Sequence, residues 1–401
     1  MNSSLLYWIW LSSLLDVSLN AKAAVMEIFG SAEAAFHAPA GAFSGIDGIT
    51  RRDAELLEAR DLTVAESIPA LCERAEVRIL TIEDPDYPRR LKEIFSPPAV
   101  LYVRGRLPDL DSGVPVAVIG TRKASPYGIR MGRNIAYELS KCGSIVVSGL
   151  TQGVDAAAAE GALAAGGVCV GVLGTPITDA KNSLALRVCR RGALISEYAP
   201  GTPQRKSFFR DRNRIAAGIS TGVVVTEAPE KSGTRLFVAE ALEQGKEIFA
   251  VPGNADSENS AGTIRFLREG AQLVTRGWEV AEELNLAYPG VLDPDCRETF
   301  PRLPEEAPKR EEKKKPSAEA SKKRLDKPQT HCYIDITDKL SALPEVQQQV
   351  ALAVIAGSTG ADQIIEATGL EAKVVLSALT MLEIRGITTR DASGRIIIRE
   401  G

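Results

Sequence analysis

Histidine is nearly missing from this chain: His37 and His331 are the two in 401 residues, and none lies within 77–330. Two imidazoles cannot build a histidine-rich metal site, and the centre of the chain has none for acid–base catalysis. The six cysteines (72, 142, 169, 189, 296 and 332) form no CxxC pair. They suit a reducing cytoplasm, with most thiols as small buried apolar groups, better than a secreted disulfide scaffold. No run reaches the ~18–20 uncharged apolar residues of a membrane span. Nucleotide fingerprints are absent too. The glycine after Gly120 is Gly128, so no GxGxxG occurs, and there is no GxxxxGK[ST]. Dinucleotide binding and P-loop hydrolysis lose their usual support. A leader is also poorly supported. Leu5–Leu15 reads LLYWIWLSSLL, but no Lys or Arg precedes Lys22 and Asp16 ends the run. An amphipathic first helix is expected instead of an export signal.

What is present begins with size and charge. A chain of 401 residues with 44% hydrophobic residues holds two to four domains and enough apolar surface for a real core. The net charge of −4 is uneven. Residues 1–114 carry 11 basic and 17 acidic side chains, 115–285 carry 20 and 17, and 286–401 carry 17 and 18. Overall charge thus says nothing about nucleic acid; a local patch does. Residues 205–214 read RKSFFRDRNR, five cations (Arg205, Lys206, Arg210, Arg212, Arg214) around Asp211, interleaved with Phe208 and Phe209. Guanidinium groups hold phosphates through paired hydrogen bonds, and a ring stacks on an unpaired base. A solvated loop with both rings in the core is the competing reading.

Four segments follow from composition and periodicity. Residues 1–75 are rich in Ala and Leu at helical spacing, and 43–59 (FSGIDGITRRDAELLEA) resembles a helix-hairpin-helix or an ordinary inter-helix turn. Residues 76–287 form the core. Short extended pieces over 76–106 precede apolar runs at 115–119, 145–148, 168–173, 193–196, 223–226, 248–251 and 272–274, with helical patterns between most of them, as at 128–141 and 155–165. Continuous apolar strands alternating with helices define an α/β fold, a doubly wound Rossmann-like parallel sheet covered on both faces. Residues 288–334 read as a disordered charged linker: 301–330 holds five Pro, ten basic and six acidic residues, and no Val, Ile or aromatic. Residues 335–401 regain pattern, with helices near 345–356, 361–367 and 371–384 and then a hairpin, resembling a winged helix. The third helix is poorly charged for a recognition helix: Lys373 and Arg385 face Glu371 and Glu383. Contact with protein is as plausible there as contact with DNA.

In open parallel sheets, ligands sit beyond the carboxyl ends of the strands. Those ends carry Gly120, Thr121 and Arg122; Ser148 and Gly149, then Gly153 and Asp155; Gly174; Glu197; Glu227, then Ser232 and Gly233; and finally Pro252, Gly253 and Asn254. Glycine and serine at strand-to-helix turns let backbone amides face an anion. Several such turns beside an arginine-rich segment favour a phosphate-binding surface. Asp155, Glu197 and Glu227 form either a catalytic set or supports for the turns and arginines, and structural support is the cheaper reading.

These residues, in this order, resemble the DprA/Smf family of bacterial DNA-processing proteins of natural transformation. The resemblance is densest over 84–275 and runs through DPDYPRRLKEIFSPPAVLYVRG, VAVIGTR with Tyr127-Gly128, IVVSGLTQGVDAAAAEGAL, GALISEYAPGTP, FFRDRNRIAAGIS, VVVTEAPEKSG and ALEQGKEIFAVPG. It implies a small helical N-terminal domain, a Rossmann-like core and a winged-helix-like tail. It also implies a non-enzymatic homodimer that binds single-stranded DNA and loads the recombinase RecA, with no cofactor and no membrane partner. By motif, the phosphate pocket would use Gly120, Thr121, Arg122, Ser148, Gly149, Lys206, Arg212, Asn213 and Arg214, with Phe209 against a base. Asp155, Glu197, Glu227, Ser232 and Gly233 would support it. The chain departs from the family pattern at four places: Ala159 replaces His, GTPITDAKNS lacks a Tyr-Pro, Arg210 replaces Pro, and TRLFVAEA follows Ser232-Gly233. A nucleotide- or nucleoside-processing enzyme of a related fold is the alternative. A duplex-binding regulator working through its tail is a third reading.

Overall fold

Valine, isoleucine and alanine fill the central strands, and the backbone follows from that. The computed structural model describes residues 3–300, 344–355, 360–370, 372–384, 388–390 and 396–398. Strands β3 (Pro115–Ile119), β4 (Ile145–Ser148), β5 (Cys169–Leu173), β6 (Ala193–Ser196) and β7 (Gly222–Val225) are buried throughout. With β8 (Glu247–Ala250) and β9 (Gln272–Leu273) they run parallel. The expected parallel sheet is therefore present, but it has nine strands. The extended pieces before it become β1 (Arg78–Thr81) and β2 (Val100–Gly105), and β2 pairs antiparallel with β6. The order β1-β2-β6-β5-β4-β3-β7-β8-β9 reverses direction of growth between β3 and β7. That switch point is where a crevice opens in such sheets.

Alternate residues of each strand face opposite ways, so each face needs its own cover. Val116, Val118, Val146 and Val224 join one buried cluster, while Ala117, Ile119, Val147 and Val225 join another. Helices α1 (Ser3–Ser13), α2 (Leu19–Phe29), α3 (Ala32–Phe36), α4 (Arg51–Glu58) and α5 (Thr63–Arg74) open the chain, and α6 (Arg89–Lys92) follows β1. The crossovers are α7 (Pro126–Lys141), α8 (Val154–Ala164), α9 (Ser183–Arg191), α10 (Phe208–Ile219), α11 (Gly233–Glu243) and α12 (Ala261–Arg268), and α13 (Gly277–Ala287) follows the last strand. Trp8, Trp10, Phe43 and Leu57 share one apolar cluster with Val100, Tyr102 and Val116. The N-terminal helices are thus built onto the sheet, in one compact unit with it (Met1–Pro308). Among the described residues no helix is long and apolar enough to cross a membrane.

Residues 288–300, expected to open the linker, lie on the core instead. Asp293 N–H donates to the Cys142 carbonyl at 2.9 Å, and Glu298 pairs with Lys141 at 2.8 Å. Tyr288, Leu292, Cys296 and Phe300 supply apolar contact. The remainder of that expected linker is outside the described residues. The second unit contains helices Glu345–Ile355, Ala361–Thr368 and Ala372–Ile384 and an antiparallel pair, Thr388–Arg390 with Ile396–Ile398. Its third helix exposes Val374, Leu376 and Met381.

Helices α7 and α8 approach closely because Gly161 has no side chain: a Cβ there would collide with the Arg133 carbonyl. Gly161→Ala is therefore expected to destabilise the chain by about 1–3 kcal/mol through overpacking. A lower urea midpoint with unchanged slope is the expected result.

Candidate nucleic-acid interface

A groove of about 700 Å³ opens at the switch point, beyond the ends of β3 and β7. Its floor is set by carboxylates that hold backbone. The Glu227 carbonyl accepts from Thr121 N–H at 2.8 Å. The Glu227 carboxylate accepts from Ser125 N–H at 2.8 Å and Ser125 Oγ at 2.7 Å, which joins the end of β7 to the start of α7. A Cβ on Gly128 would strike that carboxylate, so the Tyr127-Gly128 step leaves room for it. Glu227 is thus a staple.

The second turn is tied in the same way. Ser148 Oγ donates to the Asp155 carbonyl at 2.8 Å and accepts from Leu150 N–H at 3.1 Å. Thr151 Oγ1 donates to Asp155 Oδ2 at 2.9 Å. Burial pushes the Asp155 carboxyl upward, opposed by the Arg212 charge and by hydrogen bonds from Thr151 and the Gly120 amide. Gly149 lies under both side chains: a Cβ there would stand 2.5 Å from Arg212 Nη2 and 2.5 Å from Asp155 Oδ2. Ser148 is itself buried and holds the turn, away from the groove lining.

Residues 205–214 were expected as a loop, but Phe208–Arg214 begin α10. The helix seats on the end of β5 because Gly174 is bare; a Cβ there would be 2.9 Å from the Phe209 Cα. Helical spacing then sorts the side chains. Phe209, Arg212 and Asn213, at i, i+3 and i+4, line the groove with Lys206. The Arg122 guanidinium sits over the Phe209 ring, 5.1 Å from its centroid. Arg212 is 6% exposed, and its Nε is buried without a partner. Burial lowers its pKa, and Asp155 partly restores it.

Arg214 turns the other way. Its Nη2 donates to both Glu197 oxygens, at 2.6 and 2.5 Å, in a pair with 5% and 10% side-chain exposure. Neither residue lines the groove. Arg214, expected among the phosphate-binding residues, thus points away from the groove, with its charge paired to Glu197 inside the protein. Phe208 is likewise core: it stacks on Tyr198 with centroids 3.6 Å apart. Arg205 leaves the groove for Asp16, at 2.7 Å.

The start of α11 completes the wall with Ser232 and Gly233; Ser232 Oγ is buried with no partner. The sequence reading missed Lys123, Thr151, Lys231 and Asn259, which also line the groove. Lys123 and Lys231 adjoin Arg122 and Ser232, so adjacency was the available signal. Ala159, the departure from the family histidine, is fully buried and outside the groove. Among the described residues no group of three His, Cys, Asp or Glu side chains is placed to hold a metal.

A doubly wound sheet with a cation-rich groove at its switch point places the chain among Rossmann-like α/β proteins. Within that class it belongs to the DprA/Smf family of DNA-processing proteins. The family model described as DNA recombination-mediator protein A matches residues 78–285, and the DprA winged helix domain matches 337–393. The chain is 34% identical to the DNA processing protein DprA of Bacillus subtilis over 212 residues, covering 52% of this chain and 71% of the relative. It is 31% identical to Protein Smf of Synechocystis over 325 residues, covering 79% of each. The X-ray structure of DprA from Streptococcus pneumoniae superposes with a TM-score of 0.59 at 30% identity, over 69% of this chain and 97% of that one.

The two arginine environments predict opposite stability effects. Arg214→Ala leaves Glu197 buried and unpaired, and is expected to cost about 3–5 kcal/mol. Arg122 is exposed, so Arg122→Ala is expected to change stability by less than about 0.5 kcal/mol. Urea denaturation of both variants checks this.

Proposed function

We propose that the groove binds single-stranded DNA without breaking its bonds. On this reading the chain acts in the cytoplasm as a homodimer and places the recombinase RecA on that strand. The observation that carries the reading is the groove face of α10: Phe209, Arg212 and Asn213 together, with Arg122 over the ring and Lys206 on the rim. The cations hold phosphates, and the ring takes the face of an unpaired base, which a duplex keeps stacked inside. Ser232 and Thr121 add hydroxyl donors, and Gly233 an amide at the start of α11.

A binding role also suits the carboxylates. Glu227 spends both oxygens on Ser125, and Asp155 accepts from Thr151 beside Arg212. The description of the family as recombination mediators supports the RecA step. A dimer would bring two grooves to one strand and gain avidity. The sheet ends on β9, with Leu273 57% exposed, an edge that a second copy can cover.

Labelled oligo-dT and the matching duplex, titrated at two salt concentrations, test the reading. The single strand is expected to bind more tightly, with affinity falling steeply with salt. Equal or tighter duplex binding, or release of base from nucleoside monophosphates, would overturn it. Arg122→Ala and Lys206→Ala are each expected to weaken binding and flatten the salt slope by about 0.7, the share of one phosphate contact. Phe209→Ala is expected to cost about 1–3 kcal/mol of affinity with the slope retained.

A further inference from the structure

We propose that the cavity between the N-terminal helices and α10 is a second subsite for the same strand, taking a phosphate of the nucleotides that run past Arg210. This rests on the reading of the groove as a single-strand site. The cavity measures about 510 Å³, and Arg210 lines both it and the groove, so the two spaces share a wall. α10 is that wall: Phe209, Arg212 and Asn213 face one side, Ser207, Phe208 and Asp211 face the other, and Arg210 lines both.

The charges in the cavity leave two cations over. Three carboxylates line it, and each has a guanidinium partner: Asp16 with Arg205 at 2.7 Å, Glu197 with Arg214 at 2.5 Å, and Asp211 with Arg210 at 3.7 Å. Lys22 and Arg52 also line it, and among the described residues neither makes an ion pair. Lys22 Nζ donates to the Ser12 carbonyl at 3.1 Å. Burial pulls the Lys22 ammonium down to about 8, so an anion beside it would restore solvation that the fold removes. Behind Glu197, Arg214 keeps Nε and Nη1 buried and without a partner.

The turn at residues 45–48 does not itself line the cavity. Gly48 N–H is taken by Asp47 Oδ1 and Ile49 N–H by the Ile46 carbonyl. What the turn delivers to the cavity is Arg52, in the first turn of α4. A phosphodiester is the ligand class that this site fits: one negative charge, several acceptor oxygens, and a chain that can enter from the groove side.

The test compares two probe lengths by fluorescence anisotropy, a dT hexamer and a dT 20-mer. The full chain carrying Lys22→Met and Arg52→Gln is expected to bind the 20-mer about 5–10-fold more weakly. Its salt slope should fall by about 1.4, two contacts at ~0.7 each. Hexamer affinity is expected to stay within about twofold, because the groove is untouched. Lys22→Arg with Arg52→Lys should retain 20-mer binding. Arg52 is exposed, so Arg52→Gln alone gives a folded control, with a slope loss of about 0.7 expected on the 20-mer. Unchanged 20-mer binding and slope, or equal losses for both lengths, would overturn the subsite. Failure of the unaltered protein to bind either probe would overturn the groove reading itself, and the subsite with it.

Discussion

The seating of α10 is the constraint from which the rest of the binding surface follows. A helix packed onto the end of a buried strand needs a bare position beneath it, and Gly174 supplies that. Phe208 stacked on Tyr198 then fixes its rotation. Once the rotation is fixed, the 3.6-residue period decides where each cation goes. Arg212 reaches the groove, Arg214 goes to Glu197, and Arg210 stands between two spaces. Five cations in ten residues therefore do not make one patch. They serve as groove donors, a buried ion pair and a tie to the N-terminal helices.

The carboxylates of the site do the holding. Glu227 joins β7 to α7, Glu197 neutralises Arg214, and Asp155 sits under Thr151 beside Arg212. Each is committed to a neighbour whose placement shapes the groove. Buried charges persist only when paired or hydrogen-bonded. The groove then faces solvent mainly with cations and donors, Arg122, Lys123, Lys206, Arg210 and Lys231 against the one exposed carboxylate Glu258 among its lining residues, a surface suited to an anionic polymer.

The N-terminal helices share their apolar cluster with one face of the sheet. They are also joined to it by polar ties: Trp8 Nε1 to Glu83 at 3.0 Å, Ser96 Oγ to the Leu19 carbonyl at 2.9 Å, and Arg205 to Asp16. A helical segment anchored this way belongs to the same compact unit as the groove. Its own cations, Lys22 and Arg52, therefore line one cavity with residues of α10.

Local pattern alone determined much of this protein. Fully buried parallel strands must be apolar along their whole length, so β3, β4 and β6 could be read to the residue, and helices between them implied the doubly wound sheet. Glycine and serine at the strand ends marked the groove, because open parallel sheets bind ligands there. The extended pieces over 76–106 were legible, but their joining the sheet as β1 and β2 was not, because the antiparallel pairing of β2 with β6 is a long-range choice that leaves no local period. Arg214, Phe208 and Arg205 were indistinguishable from Arg212, Phe209 and Lys206 by residue type. Tertiary packing decided among them, because which side of α10 meets water depends on what the helix is packed against, and a short charged segment does not encode its neighbours.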